Sequence, residues 1–257
     1  MNKYPICIVS KDRANICTTH KLFQDNNIKY FYMVEPQDFD VYKKKFKNVI
    51  NIKKNNKGVH YCRNYVLEWA KKNNYDKFWL IDDNIDSMFY RPMDKIKGFR
   101  IREKINNPTK VFNYIEEIAD RCVNFGAGCL THDGFAFSKK NDIDINKMVY
   151  CFQLINSNIK SRFQPRTAED IDFSVRILRE GWVTMCFNMY SFKKPKSGSM
   201  EGGCNSIDYK NDGRKKRFLT LANDYPQWFT EYEKNGKSEI KPSKIWLSFK
   251  QMPMQKK

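Results

Sequence analysis

The sequence predicts an α/β protein built on a parallel, doubly wound sheet. Two observations predict it. Strand-like and helix-like segments alternate through residues 4–83, the pattern that βαβ crossovers leave in a sequence. Hydrophobic residues make up 41% of the 257-residue chain, enough for a continuous core and too many for wholesale disorder. No internal repeat interrupts this pattern, so one domain is expected.

Each element has its own signal. YPICIVS (4–10) is an apolar run of strand length, followed by a short helix over 14–27. KYFYMVEP (29–36) is a second strand, stopped by Pro36. Residues 38–46 give one or two helical turns, and NVINIK (48–53) a third strand. Over 57–74 apolar residues fall at 59, 62, 66, 69 and 70, a helical stripe. Residues 76–83 form the fourth strand. Parallel crossovers put every strand C-terminus at one edge, where ligands bind.

The second half is less regular. It predicts a helix over 110–124, a glycine-punctuated turn leading into a strand over 126–140, and strand-rich sequence over 147–159. Residues 167–182 form a helix ending at Gly181, with Ile171, Val175 and Leu178 on one face. A last strand spans 183–192, and the Gly/Ser/Lys-rich stretch 193–217 is a mobile loop.

Composition bounds the partners. Lys and Arg number 47 against 29 Asp and Glu, a net charge of +18. Such a field attracts polyanions; a lysine-rich composition with a solvated surface accounts for it equally well. Eight cysteines are scattered without a CxxC pair or a Cys/His cluster, which speaks against a zinc site and a disulfide framework. They read as buried thiols in a reducing compartment. No apolar run is long enough to span a membrane, and the N-terminus lacks the pattern of a signal peptide. The expectation is a soluble, intracellular protein.

The chemistry concentrates in three places. FWLIDDNID (78–86) ends the fourth strand on Asp82, Asp83, Asn84 and Asp86. Clustered carboxylates need a cation nearby, and oxygen ligands with phosphates suit Mg²⁺ or Mn²⁺. A plain Asp/Asn turn fits the same letters. GVHYCRNYVLEWA brings Gly58, Arg63 and Asn64 to the start of a helix. Arg63 is able to grip a diphosphate bidentately, or to be an ordinary surface arginine. TAEDID (167–172) has the Thr167–Asp170 spacing of a capping box. A carboxylate there also stands where it could deprotonate an acceptor hydroxyl. His132 and Asp133 follow a glycine-rich segment and read as a polar turn.

Taken in order, these pieces resemble a known family. The strand 4–10 with Lys11 and Arg13 after it, Glu35 ending the second strand, G-x-x-x-x-R-N at 58–64, the strand ending IDDN and the later AEDIDFSVRILREGW resemble a GT-A nucleotide-sugar glycosyltransferase, over roughly residues 4–192. Within that group the chain is most similar to the TET-associated glycosyltransferases, found largely in phages. The resemblance implies a GT-A fold: a mixed, mainly parallel sheet flanked by helices in a single domain. Residues 1–192 would be catalytic, with a nucleotide-sugar half (1–90) and an acceptor half (91–192). Residues 193–257 would be a basic loop and C-terminal segment packing on the same domain.

The resemblance also implies roles. Ser10, Arg13, Glu35, Arg63, Asn64, Asp82 and Asp83 would hold a UDP-sugar, with Glu35 at the uridine and Arg63 at the diphosphate. Asp83 and Asn84 would lie nearest Mn²⁺ or Mg²⁺. Asn84 stands where many relatives carry an acid, which weakens the charge offered to the ion. Asp170 would be the base of an inverting transfer, supported by Glu169. A late histidine ligand has no counterpart, since the histidines are 20, 60 and 132. The acceptor implied is a hydroxymethylated or hydroxylated pyrimidine in duplex DNA, flipped from the stack, in host cytoplasm if the chain is phage-encoded. Lys193, Lys194, Lys196, Arg214, Lys215, Lys216 and Arg217 would then clasp the DNA backbone, and Phe163 is a candidate to stack on an extruded base. Competing readings are transfer to a glycan, lipid or protein, a non-enzymatic nucleic-acid-binding module, and a nucleotidyltransferase.

Overall fold

Strands β1 (Ile6–Val9), β2 (Phe31–Val34), β3 (Val49–Asn51) and β4 (Lys77–Asp82) lie parallel in the order β3-β2-β1-β4. The computed structural model describes residues 2–105, 107–165, 168–196, 199–203, 213–234, 237–242 and 253–256, without the side chains of 213–218, 234 and 237–242. The crossovers are α1 (Thr18–Gln24), α2 (Pro36–Lys45) and α3 (Val59–Lys72). Pro36 does more than stop β2: it opens α2, where its missing N–H costs nothing. The chain winds outward from β1 to β3, then returns to place β4 on the other side of β1. That reversal is the topological switch point, and in open α/β sheets ligands bind at the C-terminal edge of such a reversal.

Beyond β4 the sheet becomes mixed. β11 (Phe152–Asn156) runs antiparallel between β4 and β9 (Phe125–His132). β9 pairs in parallel with β12 (Val183–Lys193), which also pairs with β5 (Ser87–Tyr90) and β10 (Ile143–Ile145). β8 (Glu103–Lys104) closes that side against β5. A small ribbon of β6 (Met93–Asp94) and β7 (Phe99–Arg100) stands apart. Because β9 is antiparallel to β11, and β11 to β4, the C-terminal ends of β9 and β4 share one edge.

Helices cover both faces. Trp79 and Ile81 of β4 pack with Phe23 of α1 and with Phe112 and Ile115 of α4 (Pro108–Arg121). The alternate residues Phe78 and Leu80 pack with Val66, Leu67 and Ala70 of α3 and with Phe173 and Ile177 of α6 (Glu169–Arg179). This period of two, apolar on both sides, is what a strand buried between helix layers requires.

The glycine-punctuated stretch 126–140 departs from expectation. Its first part is the buried strand β9, and only α5 (Asp133–Ala136) is a turn. Gly126 is there for closeness: a Cβ at that position would stand 2.6 Å from Cγ2 of Ile177 and from Cβ of Trp182. Gly126→Ala is expected to destabilise the fold by about 1–3 kcal/mol through overpacking, read as a lower urea midpoint. An unchanged midpoint would show that α6 can retreat freely.

The expected loop over 193–217 is also different. Lys193 ends β12, and α7 (Gly213–Asp224) begins at residue 213. Ser197, Gly198 and residues 204–212 lie outside the described residues. The C-terminal segment packs on α6: Leu221, Tyr225, Trp228 and Phe229 join Ile171, Val175 and Leu178. Asp172, fully buried in α6, accepts from the Tyr225 hydroxyl and from Arg176 Nε at 2.7 Å. The hairpin of β13 (Phe229–Lys234) and β14 (Lys237–Pro242) follows. Among the described residues no helix is long and apolar enough to cross a membrane.

Candidate active site

The switch-point edge gathers two charged networks. In the first, Asp83, 4% exposed, follows β4 and is held from β1: Ser10 Oγ donates to Oδ2 at 2.5 Å and Arg13 Nη1 to Oδ1 at 2.8 Å. Tyr42 of α2 backs Ser10 at 2.6 Å. Burial lifts the Asp83 carboxyl above its ordinary value, against the pull of Arg13 and Ser10. The turn itself is shaped from outside. Thr19 Oγ1 donates to the Asp82 carbonyl at 2.7 Å and accepts from Ile85 N at 2.8 Å. The stretch is thus both an Asp/Asn turn and a carboxylate cluster.

The second network runs across β4. Arg63, from α3 and 5% exposed, lies 3.3 Å from Asp82 Oδ1 and 2.9 Å from Glu169 Oε1. Lys194 Nζ stands 3.4 Å from Asp82 Oδ2 and donates to Cys151 Sγ at 2.8 Å. Burial alone would raise the Asp82 carboxyl, but Lys194 and Arg63 outweigh it and hold it below its ordinary value. Burial would lower Lys194, but Asp82 and Cys151 raise it, so the ammonium persists at neutral pH. The Cys151 thiol is pushed up to about 12 by burial and by Asp82, so it is not a thiolate nucleophile. Asp170 is buried in the first turn of α6, and its Oδ1 accepts from Ile171 N at 2.9 Å. Its charge reaches both Arg63 and Cys151.

The other expected residues divide. Glu35, at the end of β2 on the same edge, pairs with Lys11 at 3.1 Å and accepts from Gln37 Nε2 at 3.1 Å. Asn64 spends its amide on the backbone of Phe163, donating to its carbonyl and accepting from its N–H, each at 2.9 Å. That clip seats the Phe163 ring 5.4 Å from the Arg63 guanidinium. Phe163 itself is buried and stacked on Phe173 at 3.8 Å, so it belongs to the core and is not placed to receive a base. Thr167 lies outside the described residues. Ala168, ahead of α6, adopts a left-handed φ of 66°, a strained entry of the kind found at functional sites.

Lys194 is the main correction. Expected to clasp DNA, it instead turns into the site against Asp82, while Lys193 and Lys196 on either side are exposed. Arg214, Lys215, Lys216 and Arg217 fall in the first turns of α7, with side chains outside the described ones. Cys151 was not anticipated. It holds φ at 51°, and its carbonyl accepts from Asp82 N at 2.9 Å. The polar turn expected at His132 is present, with Gly134 N donating to Nδ1 at 3.3 Å. Burial and the nearby Lys194 lower the His132 pKa.

A strap closes the β1 side. Arg13 Nε donates to the Glu201 carbonyl at 2.8 Å and Nη2 to the Gly202 carbonyl at 3.0 Å, while Gly203 N reaches the Lys11 carbonyl at 3.1 Å. Gly203 has φ of 65°, and a Cβ there would lie 2.9 Å from Arg13 Cζ. Only glycine allows that approach.

One unpartnered oxygen bears on the divalent ion that the sequence implies. Among the described residues no group of three or more His, Cys, Asp or Glu side chains could hold a metal. Asn84 Oδ1, however, is buried and without a hydrogen-bond partner among those residues. An amide oxygen is a ligand type that Mg²⁺ and Mn²⁺ accept, while the neighbouring Asp83 oxygens are taken by Ser10 and Arg13 and those of Asp82 face Arg63 and Lys194.

Among curated proteins, none matches the chain. The model of the TET-Associated Glycosyltransferase family does, over residues 4–203, a span that takes in every element from β1 to the Arg13 strap. The chain belongs to the TET-associated glycosyltransferase family.

Proposed function

We propose that this glycosyltransferase moves a sugar from a UDP-sugar to the hydroxyl of a hydroxymethylated or hydroxylated pyrimidine in DNA, with inversion. The observation that carries this is the chain of charges Lys194–Asp82–Arg63–Glu169, with Asp170 beside it, at the C-terminal edge of the switch point. The net charge of +18 suits a polyanionic acceptor. Phage DNA hypermodification in the host cytoplasm is the setting such chemistry fits.

The residues divide the work. Glu35 and Lys11 meet the uridine side. Arg63, whose Nε is buried without a hydrogen-bond partner among the described residues, and Lys194 face the diphosphate. The acceptor oxygen forms its bond to the anomeric carbon as the bond to the diphosphate breaks, and the electron pair leaves on UDP. Asp170 takes the acceptor proton. Glu169 keeps Arg63 turned toward the site. Asp83 and Asn84 would hold Mn²⁺ or Mg²⁺, which when bound supplies further neutralisation of diphosphate charge.

Release of UDP tests this. With a panel of UDP-sugars, release is expected to rise at least tenfold when duplex DNA containing 5-hydroxymethylcytosine or 5-hydroxymethyluracil is added. Equal stimulation by unmodified DNA would sink the acceptor assignment. Treatment with EDTA is expected to suppress release, and added Mn²⁺ to restore it. Asn84→Asp should lower the Mn²⁺ concentration needed, because it adds an anionic ligand. Full activity in EDTA would remove the ion from the account.

A further inference from the structure

The acceptor side of the sheet carries an apolar cluster that the donor site does not use. Four of the nine large hydrophobic side chains exposed among the described residues lie on two linked segments there: Ile96 (98% exposed) and Phe99 on the β6–β7 ribbon, and Phe135 (67%) and Phe137 (57%) in and just after α5. The backbone joins them. Arg100 N donates to the Phe137 carbonyl at 3.0 Å and Arg100 Nε to the Lys139 carbonyl at 2.9 Å, so the β6–β7 ribbon is tied to the segment leaving α5. Exposed aromatic residues grouped in this way mark a contact surface.

Buried contacts anchor α5. Asp133, which opens α5, pairs with buried Arg91 and accepts from Ser191 Oγ at 2.8 Å. Ala136 is buried beneath the turn, and the Phe135 ring rests 5.7 Å from that of His132. Its position is informative too. β9 delivers α5 to the edge that carries Asp82, with β11 alone between them. Two strand spacings are about 10 Å. The charge of Lys194 reaches His132, at the base of α5.

The rim is basic. Over residues 93–104 and 133–142 the exposed charged side chains are Lys95, Lys97, Arg102, Lys104 and Lys140 against Glu103 and Asp142. Aromatic faces set among cations are what an unstacked or kinked nucleic acid strand needs: phosphates meet the cations, and bases meet the rings. A lipid surface would want a larger apolar face, and an acidic protein would have little use for two exposed phenylalanines on so tight a turn.

We infer that α5 and the β6–β7 turn form a DNA-docking wedge, with Phe135 and Phe137 stacking against the bases that flank the flipped acceptor nucleotide. This rests on the DNA-acceptor reading above and names the surface that presents the strand to Asp170.

The test compares wild type with the double variant Phe135→Ala, Phe137→Ala and with Val123→Ala, an exposed apolar residue at the opposite sheet edge. Three readouts are taken: affinity for a hydroxymethylated duplex by fluorescence anisotropy, transfer to that duplex at subsaturating concentration, and UDP release without DNA. The double variant is expected to bind DNA about tenfold or more weakly, the size of effect that lost base stacking produces. Its transfer should fall by a similar factor, with DNA-independent UDP release and melting temperature unchanged. Val123→Ala should match wild type throughout. DNA affinity and transfer equal to wild type in the double variant would overturn the wedge and leave the acceptor reading standing. A dimer of the free protein that the double variant breaks, with DNA affinity unchanged, would also overturn it. If wild type itself transfers to no DNA while releasing UDP, the acceptor reading fails, and the wedge with it.

Discussion

Asp170→Asn is expected to lower the turnover of sugar transfer by on the order of 10²–10⁴-fold. The amide is nearly the same size and keeps an oxygen for the Ile171 N–H, which Asp170 Oδ1 accepts at 2.9 Å, so the first turn of α6 should stay formed. What it would lose, on the proposed mechanism, is the ability to take the acceptor proton as the new bond forms. Affinity for the UDP-sugar, measured by calorimetry without acceptor, should change little, since the proposed function places the donor on α3, β4 and Lys194. Wild-type turnover in this variant would remove Asp170 as the base. Glu169→Gln should behave differently. It weakens the Glu169–Arg63 ion pair, 2.9 Å in the structure, and so should act mainly on the donor KM.

Arg63→Ala carries the second large effect. The guanidinium is 5% exposed and bridges two carboxylates, Asp82 and Glu169. Removing it leaves both without that cation in a buried site, and breaking such a pair costs about 3–5 kcal/mol. Lys194 still faces Asp82, so the lower end of that range is expected. For a chain of this size it corresponds to a fall of about 6–12 °C in melting temperature. Donor binding should be lost as well. Arg63→Lys should recover much of the stability but not the donor affinity, because an ammonium lacks the planar fork. Equal donor affinity in Arg63→Lys and wild type would show that the diphosphate is held elsewhere.

The sequence made much of this site legible for a physical reason. A parallel strand buried on both faces leaves a clear apolar run, so the residues that end it are marked, and Asp82 and Asp83 stood out against FWLI. Arg63 and Glu169–Asp170 were marked similarly, by their places near helix starts. Lys194 was not. In the run KKPK (193–196) each lysine looks alike, and which one turns inward depends on how β12 leaves the sheet. Cys151 was hidden for another reason: its role comes from a left-handed backbone, which a cysteine does not announce.

Gly126 shows the same limit from the other side. Glycine signals both turns and close packing. Only the position of Ile177 and Trp182 reveals that here it lets α6 sit down on β9. The wedge was likewise invisible as a surface. Ile96 and Phe99 are separated by more than thirty residues from Phe135 and Phe137, and the Arg100 hydrogen bonds bring them together.

The most direct test of the central claim is mass spectrometry of nucleosides digested from DNA after reaction. The protein would be incubated with Mn²⁺, a panel of UDP-sugars, and duplexes containing 5-hydroxymethylcytosine, 5-hydroxymethyluracil or neither. A gain of one sugar mass on a hydroxylated pyrimidine, absent from unmodified DNA and from the Asp170→Asn reaction, is the predicted result. UDP release with no sugar on any nucleoside would contradict it and place the acceptor outside DNA.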